Sequence, residues 1–293
     1  MTLRPSGLVL PVDKPEGPTS HDIVQAARKA LGERRIGHTG TLDPFASGLL
    51  LLCLGRATRL VEYLGAVDKT YEAVALLGQT TDTLDRDGVI VEVRDGWESL
   101  RAQDIEAVLP RFRGEVEQIP PVYSAKKVGG VPAHRRVRRG ETVELVPARV
   151  RIHELQVVSV DLPRVALRVT CSTGTYVRSL AADIGEALGV GAHLVSLRRT
   201  RMGAFTVARA LPIDALGDPV AVAAAALDPL DAIAHLPLVD VDAEQAGKLT
   251  HGVSVPYADG SLHGPIAVAH NGSLLAIGES SGGALHPRKV FAE

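Results

Sequence analysis

Cysteine is nearly absent: Cys53 and Cys171 lie far apart in apolar or alternating runs, with no CxxC spacing to suggest a zinc ligand pair or a redox pair. Both are expected as core thiols. No uninterrupted apolar segment approaches the ~20 residues that cross a bilayer. The N-terminal stretch MTLRPSGLVLPVDKP is broken at Pro11 and Asp13, so it lacks the apolar core of a secretory signal. The chain is therefore expected to be cytoplasmic. Neither a dinucleotide fingerprint nor a cluster of metal-ligating side chains is present. The DRDG turn ending at Gly88 resembles the start of a calcium loop. A loop counted from Thr83 would need glutamate at its twelfth position, where Arg94 stands, and calcium is excluded. There is no internal repeat, and only the Ala-rich run 221–226 is of low complexity.

What is present suits one large domain plus a small one. Net charge is only -2, but it is unevenly spread: residues 1–200 hold 27 Lys+Arg against 24 Asp+Glu, and residues 201–293 hold 5 against 10. The sharpest feature is KKVGGVPAHRRVRR, Lys126 to Arg139, with six basic residues in fourteen and no acid. Gly129, Gly130 and Pro132 prevent a continuous helix there, so the segment reads as an exposed loop or hairpin arm. It is either a solvated charged loop or a phosphate-binding arm, because clustered Lys/Arg gain affinity for a polyanion by counterion release.

Thr19 or Ser20 can cap a helix over 21–31, ended by Gly32, and Leu180, Ile184 and Leu188 predict a second over 178–188. Segments 70–76, 88–93, 150–158 and 165–171 alternate with period two and read as strands, the last presenting Val165, Leu167, Val169 and Cys171 on one face. They are not regularly interleaved with crossover helices, which favours an α/β fold of the α+β kind: a mixed, mostly antiparallel sheet with helices packed on it. After an Ala/Asp/Pro-rich passage at 210–236, IAVA (266–269) and LLAIG (274–278) flank Asn271-Gly272, a strong hairpin signal, and predict a small β-rich C-terminal domain.

Three stretches could carry chemistry. In GHTGTLDPFASGLL (37–50) the single acid, Asp43, precedes Pro44; its plain role would be an N-cap opening a short helix from Ala46 to Leu52. The small residues ahead of it let a ligand approach the backbone, and His38 stands in the same loop. In the second stretch, Tyr71 opens a strand, and Asp82, Asp85 and Asp87 are either solvated turn residues or ligand acceptors. In the third, CSTGTYVRSLAADIGEALG (171–189), Arg178 stands at a helix start, where the dipole disfavours a cation, so it should have an anionic partner from elsewhere in the fold.

Taken together and in order, DKPEGPTSHD (13–22), RRIGHTGTLDPFASGLL (34–50), KTYEAVALLGQTTDTLDRDG (69–88), IPPVYSAKKVGG (119–130) and CSTGTYVRSLAADIGEALGVGAHLVSLRRTRMG (171–203) resemble the bacterial tRNA pseudouridine-55 synthases of the TruB type. The resemblance is dense over 7–205 and looser beyond. It implies the pseudouridine synthase fold, with a catalytic domain over 1–235, an RNA-binding arm at about 120–150, and a PUA-like C-terminal domain over 236–293. It also implies isomerisation of uridine to pseudouridine at position 55 in the T-loop of tRNA. By this resemblance Asp43 is the catalytic aspartate, Tyr71 stacks on the target base and Arg178 pairs with the aspartate. His38 enters the T-loop where the base has left, Asp85 contacts the flipped nucleotide, and Tyr176 and Leu197 line its pocket. Lys14, Lys126, Lys127, Arg135, Arg136, Arg138, Arg139, Arg198 and Arg199 are expected along the RNA backbone. Since the reaction is redox-neutral, no nicotinamide, flavin or metal is expected, and the partner is tRNA, with no membrane and no protein partner.

Two features depart from the family pattern: the arm carries AHRRVRRG (133–140) where relatives have an aromatic and an acid, and the C-terminal segment has an excess of acids. Arg178 is expected to hold the pKa of Asp43 low. The competing reading from another class is an RNA-folding factor that binds a T-loop-like hairpin without catalysis, and a tRNA-folding role beside catalysis is compatible with the resemblance. A glycoside hydrolase would need a second carboxylate ~5–10 Å from Asp43, and only Asp85 is at hand.

Overall fold

A computed structural model describes residues 7–124, 126–137, 139–143, 145–259 and 261–291. Strands β1 (Leu8–Lys14), β2 (Ile36–Thr39), β3 (Ser47–Leu54) and β4 (Lys69–Leu77) open the chain. A two-stranded ribbon of β5 (Gln79–Thr81) and β6 (Ile90–Val93) follows, then β7 (Gly114–Gln118). The arm contains the short ribbon β8 (Lys127–Val128) and β9 (Val131–Pro132). The long strands β10 (Ala148–Asp161), β11 (Arg164–Cys171) and β12 (Ala192–Met202) come next, trailed by the short β13 (Phe205–Thr206) and β14 (Leu211–Pro212).

The main sheet runs β14-β1-β3-β12-β4-β11-β10-β7, with β2 on β3 and β13 on β12. Among the described residues of this sheet only the β1–β14 and β3–β12 pairs are parallel, so it is mixed and mostly antiparallel, as the irregular spacing of strands and helices predicts. Helix α1 (Ser20–Leu31) is opened by Thr19, whose hydroxyl accepts from the Asp22 amide while the Asp22 carboxylate accepts from the Thr19 amide, and Gly32 closes it at φ 65°. Two further helices bear on the site, α2 (Val61–Gly65) and α3 (Val177–Ala187).

The run Leu49 to Leu54 is not the short helix that an N-capping Asp43 would open. It is β3, in the middle of the sheet. Leu50, Leu52 and Leu54 pack with Ile23, Val24 and Ala27 of α1, while Leu49, Leu51 and Cys53 pack on the opposite face with Ala267, Leu274, Ile277 and Phe291. A strand covered on both faces has no reason to alternate, and its unbroken apolar run hides the period that would distinguish it from a buried helix. Both cysteines are free and buried, as expected for core thiols.

The chain beyond Pro237 builds a second sheet from β15 (Leu238–Asp240), β16 (Val255–Pro256), β17 (Ile266–His270), β18 (Ser273–Ser281) and β19 (Ala284–Val290), in the order β15-β17-β18-β19-β16. Asn271 (φ 51°) and Gly272 (φ 70°) form the tight β17–β18 turn, both in the left-handed region that this hairpin requires. Among the described residues no helix is long and apolar enough to cross a membrane.

Candidate functional site

Asp43 lies in the loop from β2 to β3, and the surrounding chain fixes that loop at nearly every residue. The Ser20 hydroxyl accepts from the Leu42 amide at 2.9 Å and donates to the Leu42 carbonyl at 3.1 Å. Lys14 Nζ donates to the Ala46 carbonyl at 2.6 Å, and the Gly17 amide to the Pro44 carbonyl at 2.8 Å. Arg199 reaches across β3, donating from Nε to the Leu49 carbonyl and from Nη2 to the Gly40 carbonyl, each at 2.8 Å. Leu42 and Phe45 anchor the loop in the core on either side of the acid, and the Ala46 amide closes a turn onto the Asp43 carbonyl at 3.1 Å. Pro44 occupies the second position of that turn, where its fixed φ is favourable. The acid stands before a proline because a rigid turn presents it.

Arg178 comes from the first turn of α3. Gln118 at the end of β7 grips the preceding backbone: its amide nitrogen donates to the Tyr176 carbonyl at 3.0 Å and its oxygen accepts from the Tyr176 amide at 2.7 Å. The guanidinium, only 3% exposed, meets the anionic partners its position calls for. Its Nε is 3.0 Å from Asp43 Oδ2 and its Nη1 3.1 Å from Asp85 Oδ2. Nη1 also donates to the Thr83 carbonyl at 2.7 Å and Nη2 to the Tyr123 carbonyl at 2.8 Å. Such a flat, multiply donating cation can bind two carboxylates and two carbonyls at once.

A cavity of about 280 Å³ opens in front of this pair, and Asp43, Tyr71, Tyr176, Arg178 and Leu197 all line it. Of the residues assigned to the nucleotide, His38 and Asp85 are not in that lining. Asp85 is neither a solvated turn residue nor exposed to the cavity. It is buried, with Oδ2 on Arg178 and Oδ1 accepting from the Thr83 hydroxyl at 2.7 Å and the Asp87 amide at 3.1 Å. His38 sits half-buried on β2; burial, with Arg199 nearby, pushes its pKa down, and its Nδ1 is buried without a described partner.

The expectation that Arg178 keeps the Asp43 pKa low is overturned. Burial raises it, and the Arg178 guanidinium only opposes that push, with Asp85 adding to it. The acid lies deep in the wall, yet its side chain keeps 36% exposure toward the open cavity, so water still supports the carboxylate until a ligand displaces it. The Tyr71 phenol is raised as well, by burial, against the pull of Arg199.

Lys14 and Arg199 cannot reach an RNA backbone. They are 0% and 1% exposed and are committed to backbone carbonyls around the Asp43 loop; their cationic heads position the loop. Arg198 is turned the other way and makes a two-pronged pair with Asp13 at 2.7 and 3.1 Å. In the arm, Arg136 pairs with Glu141 at 2.5 Å, Arg139 is exposed, and Lys126 Nζ is 3.4 Å from the Val146 carbonyl. Arg138 and the side chains of Lys127 and Arg135 lie outside the described residues. The sequence reading missed Lys69, which lines the cavity with the Ser172–Thr175 turn and Ser124. The signal was available: Lys69 is two residues from Tyr71 in one strand, as Arg199 is from Leu197 in another, and residues i and i+2 share a face.

The fold has close counterparts among solved structures. An H/ACA RNP bound to a substrate RNA containing 2′-deoxyuridine contains a chain that matches with TM-score 0.76 at 27% identity, over 98% of this chain and 86% of the other. A Cbf5-Nop10-Gar1 complex matches with TM-score 0.76 at 29% identity, over 98% and 85%. The architecture is thus that of the pseudouridine synthase fold. Residues 28–177 match the TruB family pseudouridylate synthase N-terminal domain, and residues 178–234 the tRNA pseudouridylate synthase B C-terminal domain. The chain is 43% identical to the tRNA pseudouridine synthase B of Azoarcus sp. (strain BH72), over 97% of this chain and 94% of that protein. To that of Thermobifida fusca (strain YX) it is also 43% identical, over 98% of each. The chain belongs to the TruB family of pseudouridylate synthases.

Proposed function

We propose that this protein isomerises uridine to pseudouridine in tRNA, at position 55 of the T-loop, with Asp43 as the catalytic group. The observation that carries the reading is the Asp43–Arg178 pair, 3.0 Å apart, in the wall of a cavity shared with Tyr71, Tyr176 and Leu197. The reaction breaks the bond from C1′ of the ribose to N1 of uracil, turns the base, and rejoins it through C5. Nothing is oxidised or reduced, so the atoms balance without a cofactor. A base inside a folded loop must first be flipped out, at roughly a few kcal/mol; contacts of the protein with the surrounding RNA offset that cost. Tyr71 offers a flat, apolar face on which uracil can stack, and Leu197 and Tyr176 keep the detached base from water. Arg178 holds the Asp43 carboxylate in one orientation.

The arm supplies positive charge toward RNA through Arg136, Arg139 and Lys126, and residues 1–235 are read as the catalytic unit, with 236–293 as its PUA-like companion. The deciding experiment incubates unmodified tRNA with the protein and with Asp43→Asn, and analyses T-loop fragments by mass spectrometry after a pseudouridine-specific label. Labelled position 55 with the wild-type protein and none with the variant is the expected result. Equal labelling with both refutes the role of Asp43, and no labelling with the wild type refutes the activity.

A further inference from the structure

The cavity holds more positive charge than the Asp43 assignment uses. Arg178 is matched by two carboxylates, whereas Lys69 and Arg199, in the same lining, pair with no carboxylate among the described residues. Both are buried, at 6% and 1% exposure. Lys69 Nζ donates to the Gly65 and Val67 carbonyls at 2.9 and 2.7 Å, tying the end of α2 to β4 and using two of its three N–H groups. Arg199 stands opposite Tyr71 in the β12–β4 ladder, and its charge opposes the burial that raises the phenol's pKa. Gly40, at φ +62°, completes the patch: a Cβ there would lie 3.3 Å from Arg199 Nη1 and 3.5 Å from Lys69 Cε. Holding two cations so close is unfavourable, and burial, with Arg199 beside it, lowers the Lys69 pKa to about 8. A structural tie alone would not call for such an arrangement.

An RNA phosphate stays near the solvent surface, while these cations lie deep in the wall, where the base must enter. Uracil is neutral when it arrives. It becomes an anion only as the C1′–N1 bond breaks and the bonding pair passes to N1 and spreads over O2 and O4. Groups that meet charge only at that moment favour the transition state over the bound substrate.

We infer that Lys69, supported by Arg199, forms the cationic wall that stabilises the departing uracil anion. The inference rests on the uridine isomerisation proposed above. The pair held by uracil is then used by C5 to form the C1′–C5 bond; C5 loses its proton, N1 takes one up, and the base is neutral again.

The test measures single-turnover loss of the original nucleoside from two tRNA substrates, one with uridine and one with 5-fluorouridine at the target position. Fluorine stabilises the departing anion by itself. Lys69→Met is expected to slow the uridine substrate by about 100-fold, with tRNA affinity within about threefold, and its defect on the fluorinated substrate should shrink by about tenfold. Lys69→Arg, which keeps the charge, should stay within about tenfold of wild type. Lys69→Gln, whose amide can still donate to the α2 carbonyls, is measured alongside and decides the case through the same ratio if Lys69→Met does not fold. Equal defects on both substrates, or a wild-type rate without the lysine, overturn the inference and leave Lys69 as a tie between α2 and β4. A wild-type protein that makes no pseudouridine from the uridine substrate would instead overturn the underlying function.

Discussion

Replacing Arg178 by lysine is the sharpest test of how the site is held, because the charge is conserved and only the geometry changes. The guanidinium joins Asp43, Asp85 and the carbonyls of Thr83 and Tyr123 through three nitrogens in one plane. An ammonium on a shorter stem has three hydrogens about one atom and cannot span two carboxylates and two carbonyls in those directions. At least one carboxylate and one carbonyl lose their partner in a buried place. At ~1–3 kcal/mol for each of the two unsatisfied groups, the folded state should lose about 2–6 kcal/mol. The larger effect is on the acid: burial already raises the Asp43 pKa and Arg178 is the main opposing influence, so weakening it raises the pKa further and frees the carboxylate to turn. Single-turnover pseudouridine formation at saturating tRNA and neutral pH should fall by about 100-fold or more, equivalent to ~2.7 kcal/mol, and recover partly as pH rises. Unfolding midpoints show whether the protein is folded in the assay. A folded Arg178→Lys protein within about threefold of the wild-type rate would refute the reasoning and leave the arginine a role in the fold alone.

Other consequences can be checked independently. The wild-type rate should rise with pH through a group titrating above the ordinary aspartate value of 3.8, since the active carboxylate exists only above its raised pKa; a limb at or below that value contradicts the burial argument. Gly48→Ala should be poorly tolerated, because Gly48 has φ +103° and its Cβ would lie 2.3 Å from the Arg199 carbonyl oxygen where β3 meets β12. A cost of about 3 kcal/mol or more is expected, and an unchanged unfolding midpoint rules it out. Changing Arg135, Arg136, Arg138 and Arg139 together to Ala should weaken tRNA binding and flatten its salt dependence by about 0.7 in log–log slope per lost phosphate contact. An unchanged slope, measured by binding from low to moderate salt, would make the arm a solvated surface.

The sequence by itself determined the local elements and the motif family. Thr19 or Ser20 and Gly32 marked the ends of α1, Asn271-Gly272 marked a hairpin, and Val165 to Cys171 alternated as β11 does, because capping, turn and pleat preferences act over a few residues. It also required a partner for Arg178, since a cation in the first turn of a helix is disfavoured by the helix itself. What the sequence left open is whatever depends on which surfaces meet. Only the tertiary structure decided that Leu49 to Leu54 is a strand, because covering on both faces erases the period. It alone separated Arg198, paired with Asp13 at the surface, from Arg199, buried one residue later on the opposite face of β12. Likewise it buried Lys14 and Asp85, the one against the Asp43 loop and the other against Arg178. The composition of a basic or acidic stretch cannot distinguish these cases, for burial and charge pairing arise between residues far apart in the chain: Asp43 and Arg178 are 135 positions apart and 3.0 Å from contact atom to contact atom. The same long-range packing raises the pKa of Asp43, since the acid is buried in a cavity wall built by five separate stretches of the chain.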